Sequence, residues 1–266
     1  MYSMNLLEFI VASHRSESEE QLFNLLKEFL TPYGFDSMIF CLMTDHASIG
    51  ESAKHGIITG YPEDWMKHYA AQDYEVIDPI RKEVMLESQR IFDWEKVDLI
   101  RPYNKKERTI LNEAKECGLR NGVAVSLQNN HNEFVALGFA RSNVEEELDE
   151  ITLSMLKLLS IQYYDMYLSL KEKQNQKIKP RIHLSDREIE VLKWSAAGKS
   201  NGDIATILNI SDRTVNFHLQ QCFAKLNANS KTLAVVKAIR LGLITLDSDF
   251  KISTKKSAKQ LKEEIA

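Results

Sequence analysis

LSDREIEVLKWSAAGKSNGDIATILNISDRTVNFHLQQCFAKLNANSKTLAVVKAI, residues 184–239, carries the clearest structural signal in the chain. Ser185-Asp186-Arg187-Glu188 has the form of a capping box, in which the serine accepts a backbone N–H and the glutamate reaches back. Ile189, Leu192 and Ala196 follow at helical spacing, and Gly198 is placed to end that helix in a left-handed turn. Ser200 with Asp203 opens a second, shorter helix carrying Ile204, Ala205, Ile207 and Leu208. After the turn Asn209-Ile210, Ser211 caps a third helix with the apolar stripe Val215, Leu219, Cys222 and Leu226. A fourth helix, starting near Ser230, contributes Leu233, Val236 and Ile239. A short helix, a tight turn and a longer helix with a polar outer face make a helix-turn-helix.

The third helix leaves Arg213, Asn216, Gln220 and Gln221 off its apolar stripe, with Lys225 further along. Asn and Gln carry the donor–acceptor pair that reads adenine in the major groove. Ser211 and Thr214 at the helix start suit a backbone phosphate. Lys199, His218, Lys231 and Thr232 are candidates for further sugar-phosphate contacts. A four-helix packing module with merely solvated charges fits the spacing too.

Charge is divided along the chain. The first 170 residues carry 28 acidic against 16 basic side chains, whereas residues 180–245 carry nine basic against five acidic. A basic module behind an acidic one implies that only the C-terminal part meets a polyanion. The three cysteines are far apart and without metal-ligand spacing, which reads as reduced thiols in a cytoplasmic protein. No run is apolar and uncharged for the roughly 18 residues a membrane span needs. The apolar N-terminus lacks a basic flank and is interrupted by Glu8, unlike a secretory signal.

Lys171–Pro180 is almost devoid of aliphatic residues and reads as a linker or frayed helix end. Before it, Ile151, Met155, Leu158, Leu159, Tyr163 and Met166 predict a long amphipathic helix over Leu148–Leu170. Gln21–Leu30 and Tyr103–Cys117 read as helices, Ser37–Met43 as a strand, and Val123–Leu127 with Phe134–Ala140 as a hairpin. The expected fold class is α+β: an N-terminal α/β/α sandwich with an antiparallel sheet and a C-terminal all-α four-helix helix-turn-helix domain. The expected boundaries are 1–170 for the first domain, 171–182 for the linker, 183–245 for the second domain and 246–266 for a flexible tail.

In Tyr61–Asp78 the aromatics Tyr61, Trp65 and Tyr69 recur every fourth residue, and Asp78-Pro79 opens another helix. Core packing and a ligand wall both fit this stripe. No acidic pair follows the first strand as a phospho-receiver would need. No catalytic triad order, metal cluster or phosphate loop stands out, so the chain is read as a non-enzyme without metal or cofactor.

Residues Glu188, Leu192, Trp194, Gly198, Lys199, Ile204, Ala205, Ser211, Thr214, Val215, Phe217, His218, Lys225, Leu226 and Asn227 together resemble the DNA-binding domain of the LuxR family. The resemblance implies that the helix from Asp212 to Asn227, Phe217 included, enters the major groove of double-stranded DNA, and that dimers bind two-fold symmetric sites. Tyr61, Pro62, Trp65, Tyr69, Asp78, Pro79 and Trp94, with Gly118, Leu119, Gly122 and Phe139, resemble the acyl-homoserine-lactone-binding domain that precedes it in quorum-sensing regulators. It implies that Asp78 accepts the ligand amide N–H, Tyr61 donates to the acyl carbonyl and Trp94 to the lactone carbonyl. Trp65 and Tyr69 would form walls. Gly138 and Ala124 stand where relatives carry hydroxyls, and Ser126 is the expected substitute. The chain is therefore read as a homodimeric, ligand-responsive transcription regulator. The competing reading is a ligand-independent or partner-regulated DNA-binding protein with a structural N-terminal domain.

Overall fold

In the computed structural model, which describes residues 4–87, 90–142, 147–175 and 182–245, the chain divides into two units, Met1–Lys179 and Pro180–Ala266. The first unit is built on a five-stranded antiparallel sheet of β1 (Ser37–Leu42), β2 (Lys54–Thr59), β3 (Ile91–Asp93), β4 (Arg120–Gln128) and β5 (Phe134–Arg141), in the order β2-β1-β5-β4-β3. Successive side chains of a strand point to opposite faces, and here the two faces differ in size. One receives Met38, Phe40, Leu42, Val123, Val125, Leu127, Val135, Leu137 and Phe139. The other receives Ile39, Cys41, Ala124 and Ala136, with Gly138 in the same phase of β5.

The large-residue face is covered by α1 (Leu6–Ser13), α2 (Glu19–Leu30) and α7 (Glu150–Asn175), whose Phe9, Leu22, Leu26, Phe29, Leu156, Leu159, Tyr163 and Tyr167 complete the main core. Across the small-residue face lie α3 (Glu63–Ala71), α4 (Pro79–Leu86), α5 (Trp94–Ile100) and α6 (Lys105–Glu116). Side chains as short as Ala and Gly cannot fill the gap between a sheet and its covering helices, so this layer is the one with room for a cavity. The architecture is the expected α/β/α sandwich.

Two local expectations are corrected. The long helix runs to Asn175, past the expected boundary at 170, because Lys171 is held between Glu19 (2.7 Å) and Glu51 (2.8 Å), two residues distant in sequence. Its expected apolar stripe is divided as well: Leu159, Tyr163 and Met166 are buried, whereas Ile151 and Leu158 are exposed. The sheet partner β2 and the helices α1 and α5 carry no strong period of their own, and the sequence reading passes over them. The expected tail 246–266, and residues 176–181 of the linker, lie outside the described residues.

Among the described residues the second unit contains α8 (Asp186–Ala196), α9 (Asn201–Leu208), α10 (Asp212–Leu226) and α11 (Lys231–Arg240). Capping boxes at Ser185/Glu188 and Ser200/Asp203 start the first two, and Ser211 and Ser230 cap the others. Gly198 and Asn209 both take positive φ, ending α8 and α9 in left-handed turns. Val215, Leu219, Cys222 and Leu226 are buried as one stripe. On α11 the buried residues are Ala234 and Ala238, not Val236, which is exposed. Small side chains let this helix lie close against α8 and α10, and the larger ones splay to either side.

Candidate ligand cavity and nucleic-acid interface

Between the small-residue face of the sheet and α3–α6 lies a cavity with about 80 Å³ open to the centres of water molecules. The sheet contributes Ile39, Cys41, His55, Ala124, Ala136 and Gly138, and the helices contribute Trp65, Tyr69, Ile80, Arg81, Val84, Ile110, Leu111 and Ala114. Tyr61, Asp78 and Trp94 also line it. Of the six expected ligand residues, five therefore meet at one place.

Asp78 is the N-cap of α4. Its Oδ1 accepts from the backbone N–H groups of Ile80 (2.8 Å) and Arg81 (3.3 Å), and its Oδ2 accepts from the Tyr69 hydroxyl at 2.8 Å. A carboxylate has about four lone-pair sites, so one remains for a donor in the cavity. Burial, then the charge of Asp78 and its hydrogen bond, push the Tyr69 phenol up, so it stays a protonated donor. Burial, with Cys41 and Asp78 nearby, does the same to Tyr61.

Trp94 begins α5, and Tyr103 holds it there by donating to its carbonyl at 2.9 Å. Its indole Nε1 is buried and, among the described residues, has no hydrogen-bond partner. An orphaned buried donor costs about 1–3 kcal/mol, so Trp94 Nε1 gains from any acceptor that a ligand brings to it. Two glycines seat the two aromatic donors. A Cβ on Gly122 would stand 2.2 Å from the Trp94 ring, and a Cβ on Gly138 would stand 2.5 Å from the Tyr61 hydroxyl. Trp65 packs edge-on against Tyr69 with ring centroids 5.8 Å apart. Two donors and one acceptor set in apolar walls suit a ligand with carbonyl oxygens, one N–H and an aliphatic body.

Ser126, the sixth expected residue, is not in this wall. It shares a face with Ala124 but lies further along β4, buried where α4 crosses, and its hydroxyl donates to the Val84 carbonyl at 2.9 Å. Sequence reasoning missed Cys41, His55 and Arg81 because they lie on two strands and a helix with no motif to mark them. Arg81 pairs with Glu75 at 2.6 Å and donates to the Met43 sulfur at 3.4 Å.

In the second unit, Arg213, Asn216, Phe217, Gln220 and Gln221 of α10 are exposed, while Thr214 and His218 are half-buried. The Ser211 hydroxyl accepts the Thr214 backbone N–H at 3.1 Å and lies 2.8 Å from the Thr214 hydroxyl, so both hydroxyls cluster at the helix start. Asn201 of α9 donates to Asn216 at 2.7 Å, bracing the short helix to the long one. Two of the expected cations are engaged inside the unit. Lys225 reaches both oxygens of the buried Glu188, at 3.0 and 2.7 Å, and Lys231 donates to the Lys199 carbonyl and to Asn201.

Residues 18–166 match the family of autoinducer binding domains, and residues 183–238 match the luxR family of bacterial regulatory proteins. The chain is 30% identical to the transcriptional activator protein AnoR of Acinetobacter nosocomialis, over 86% of this chain and 94% of that one. It is 34% identical to the quorum-sensing regulator RhlR of Pseudomonas aeruginosa, over 69% and 74% of the two chains. Among solved structures it is similar to SdiA in complex with octanoyl-rac-glycerol, with a TM-score of 0.65 and 27% identity, over 91% of this chain and 98% of that one.

Proposed function

The chain belongs to the luxR family of bacterial regulatory proteins and joins an autoinducer-binding domain to a helix-turn-helix DNA-binding domain, and from that premise we propose that it is a cytoplasmic homodimer that answers an N-acyl-homoserine lactone. The observation that carries the ligand reading is the buried Trp94 Nε1, without a hydrogen-bond partner among the described residues, on a side chain that lines the same cavity as Asp78. In this assignment Trp94 donates to the lactone carbonyl and Tyr61 to the acyl carbonyl. Asp78, already oriented by Tyr69 and α4, accepts the amide N–H. A ligand bound to the folded state alone stabilises it by mass action, which links signal level to the amount of DNA-binding protein.

The ligand-binding domain is assigned to the first 175 residues, to the end of α7, and the DNA-binding domain to residues 183–245. Direct base contacts are assigned to Arg213, Asn216, Phe217, Gln220 and Gln221, and phosphate contacts to Ser211, Thr214, Lys199 and His218. Lys225 and Lys231 support this surface through the hydrogen bonds described above. Dimerisation is assigned to exposed apolar side chains on two helices linked by a Gln162–Ser13 hydrogen bond: Leu7 and Val11 of α1, Ile151, Leu158 and Ile161 of α7.

Expression with a panel of acyl-homoserine lactones, followed by mass spectrometry of what the purified protein retains, tests the ligand. Wild type retains a lactone; Asp78→Ala, folded by circular dichroism, loses it together with lactone-dependent promoter output. Unchanged promoter control in Asp78→Ala would instead support the ligand-independent reading.

A further inference from the structure

Cys41 of β1 and His55 of β2 form a polar pair in the cavity wall. The Cys41 sulfur lies 3.5 Å from His55 Nδ1 and accepts the Gly56 backbone N–H at 3.2 Å. Burial pushes the thiol up to about 12, so it keeps its proton. In the arrangement taken here, this one S–H donates to Nδ1, the ring nitrogen beside it. The imidazole is pushed down to about 4 by burial and is neutral at physiological pH, with a single N–H to place. An accepting Nδ1 puts that proton on Nε2. Among the described residues, Nε2 has no hydrogen-bond partner.

The ring is also held in position. It lies parallel to Tyr69, with centroids 4.5 Å apart and 9° between planes, and Tyr69 is fixed by its hydrogen bond to Asp78. The Nε2 donor is thus one ring away from the carboxylate assigned to the ligand amide. Arg81, the cation in the wall, is taken up by Glu75.

We propose that His55 is a specificity residue whose Nε2–H donates to an oxygen on the acyl chain close to the amide, with the tautomer set by the Cys41 thiol. The ligand class is then an acyl lactone carrying a keto or hydroxyl oxygen near the amide, in preference to a plain saturated chain. This inference rests on the lactone reading above. A saturated chain would remove Nε2–H from water and offer nothing in return. One neutral hydrogen bond is worth about 0.5–1.5 kcal/mol net, which corresponds to a preference of roughly three- to tenfold.

The test is an internal competition. The full chain is expressed with equal amounts of a saturated lactone and its 3-oxo counterpart of the same length, and the ratio retained is read by mass spectrometry. Wild type favours the 3-oxo lactone by roughly three- to tenfold. His55→Phe and His55→Leu bring the ratio to about one, since neither has a donor, while His55→Gln, which keeps an N–H donor, retains part of the preference. A wild-type ratio of about one overturns the proposal, as does an unchanged ratio in whichever apolar variant folds. A folded wild type that retains neither compound overturns the lactone reading itself, an outcome distinct from loss of selectivity.

Discussion

Gly138→Ala tests whether the site depends on a glycine seat for Tyr61. The position is in an ordinary extended strand, so alanine brings no backbone strain. Its Cβ would stand 2.5 Å from the Tyr61 hydroxyl oxygen and 2.8 Å from Ile39 Cγ2. Ordinary contacts lie at about 3.5 Å or more, so the phenol must retreat by roughly 1 Å within a packed wall. Overpacking of this kind costs about 1–3 kcal/mol, or roughly 2–10 °C in the melting of a domain this size. A displaced hydroxyl also weakens its bond to the ligand, by about 1 kcal/mol or some fivefold in affinity. The decisive assay is a double-mutant cycle with Tyr61→Phe, following thermal unfolding of the N-terminal unit by near-ultraviolet circular dichroism at saturating lactone. Removal of the hydroxyl removes the shorter contact, so Gly138→Ala should cost at least about 1 kcal/mol less in the Phe background. Costs that add to within about 0.5 kcal/mol in the two backgrounds would refute the seat.

In the DNA-binding unit, Lys225→Ala leaves the carboxylate of Glu188 buried and unpaired. The lysine is partly exposed, so a loss of about 1–3 kcal/mol in that unit's stability is expected, with base preferences unchanged in a binding-site selection. Burial acts to raise the Glu188 carboxyl, but Lys225 and the Ser185 backbone N–H outweigh it and hold it below the usual range. Its stabilising contribution is therefore full above the unfolded pKa and is lost as pH falls through the folded one. Glu188→Gln should flatten that acid limb in a melting series from neutral pH downward; an identical limb would assign acid sensitivity elsewhere. Gln220→Ala should weaken binding at particular base pairs only, by about 1–3 kcal/mol, and equal losses on cognate and random DNA would refute base reading.

Much of this architecture is legible in the sequence for a local reason. Capping serines, left-handed glycine and asparagine turns, and one apolar stripe per helix specify the helix-turn-helix within a span of about 60 residues. In the sheet, the runs Val123-Ala124-Val125-Ser126-Leu127 and Val135-Ala136-Leu137-Gly138-Phe139 alternate large with small. Period-two alternation fixes which residues share a face, and the small ones mark the side where space remains. The aromatic spacing Tyr61, Trp65, Tyr69 likewise places three side chains on one side of the chain before any contact is known.

Tertiary packing decided what those residues do. Ser126 and Gly138 lie in the same phase of the sheet, yet the Ser126 hydroxyl is consumed by the Val84 carbonyl while Gly138 seats the phenol of Tyr61. Lys225 reads as a cation for DNA until α8 brings Glu188 beside it, 37 residues away in sequence. Likewise, nothing near His55 in the chain predicts Cys41 against one edge of its ring and Tyr69 across its face. Periodicity fixes the direction of a side chain from local backbone geometry alone. Its partners come from segments distant in sequence, and a hydrogen bond or charge pair takes its meaning from those partners.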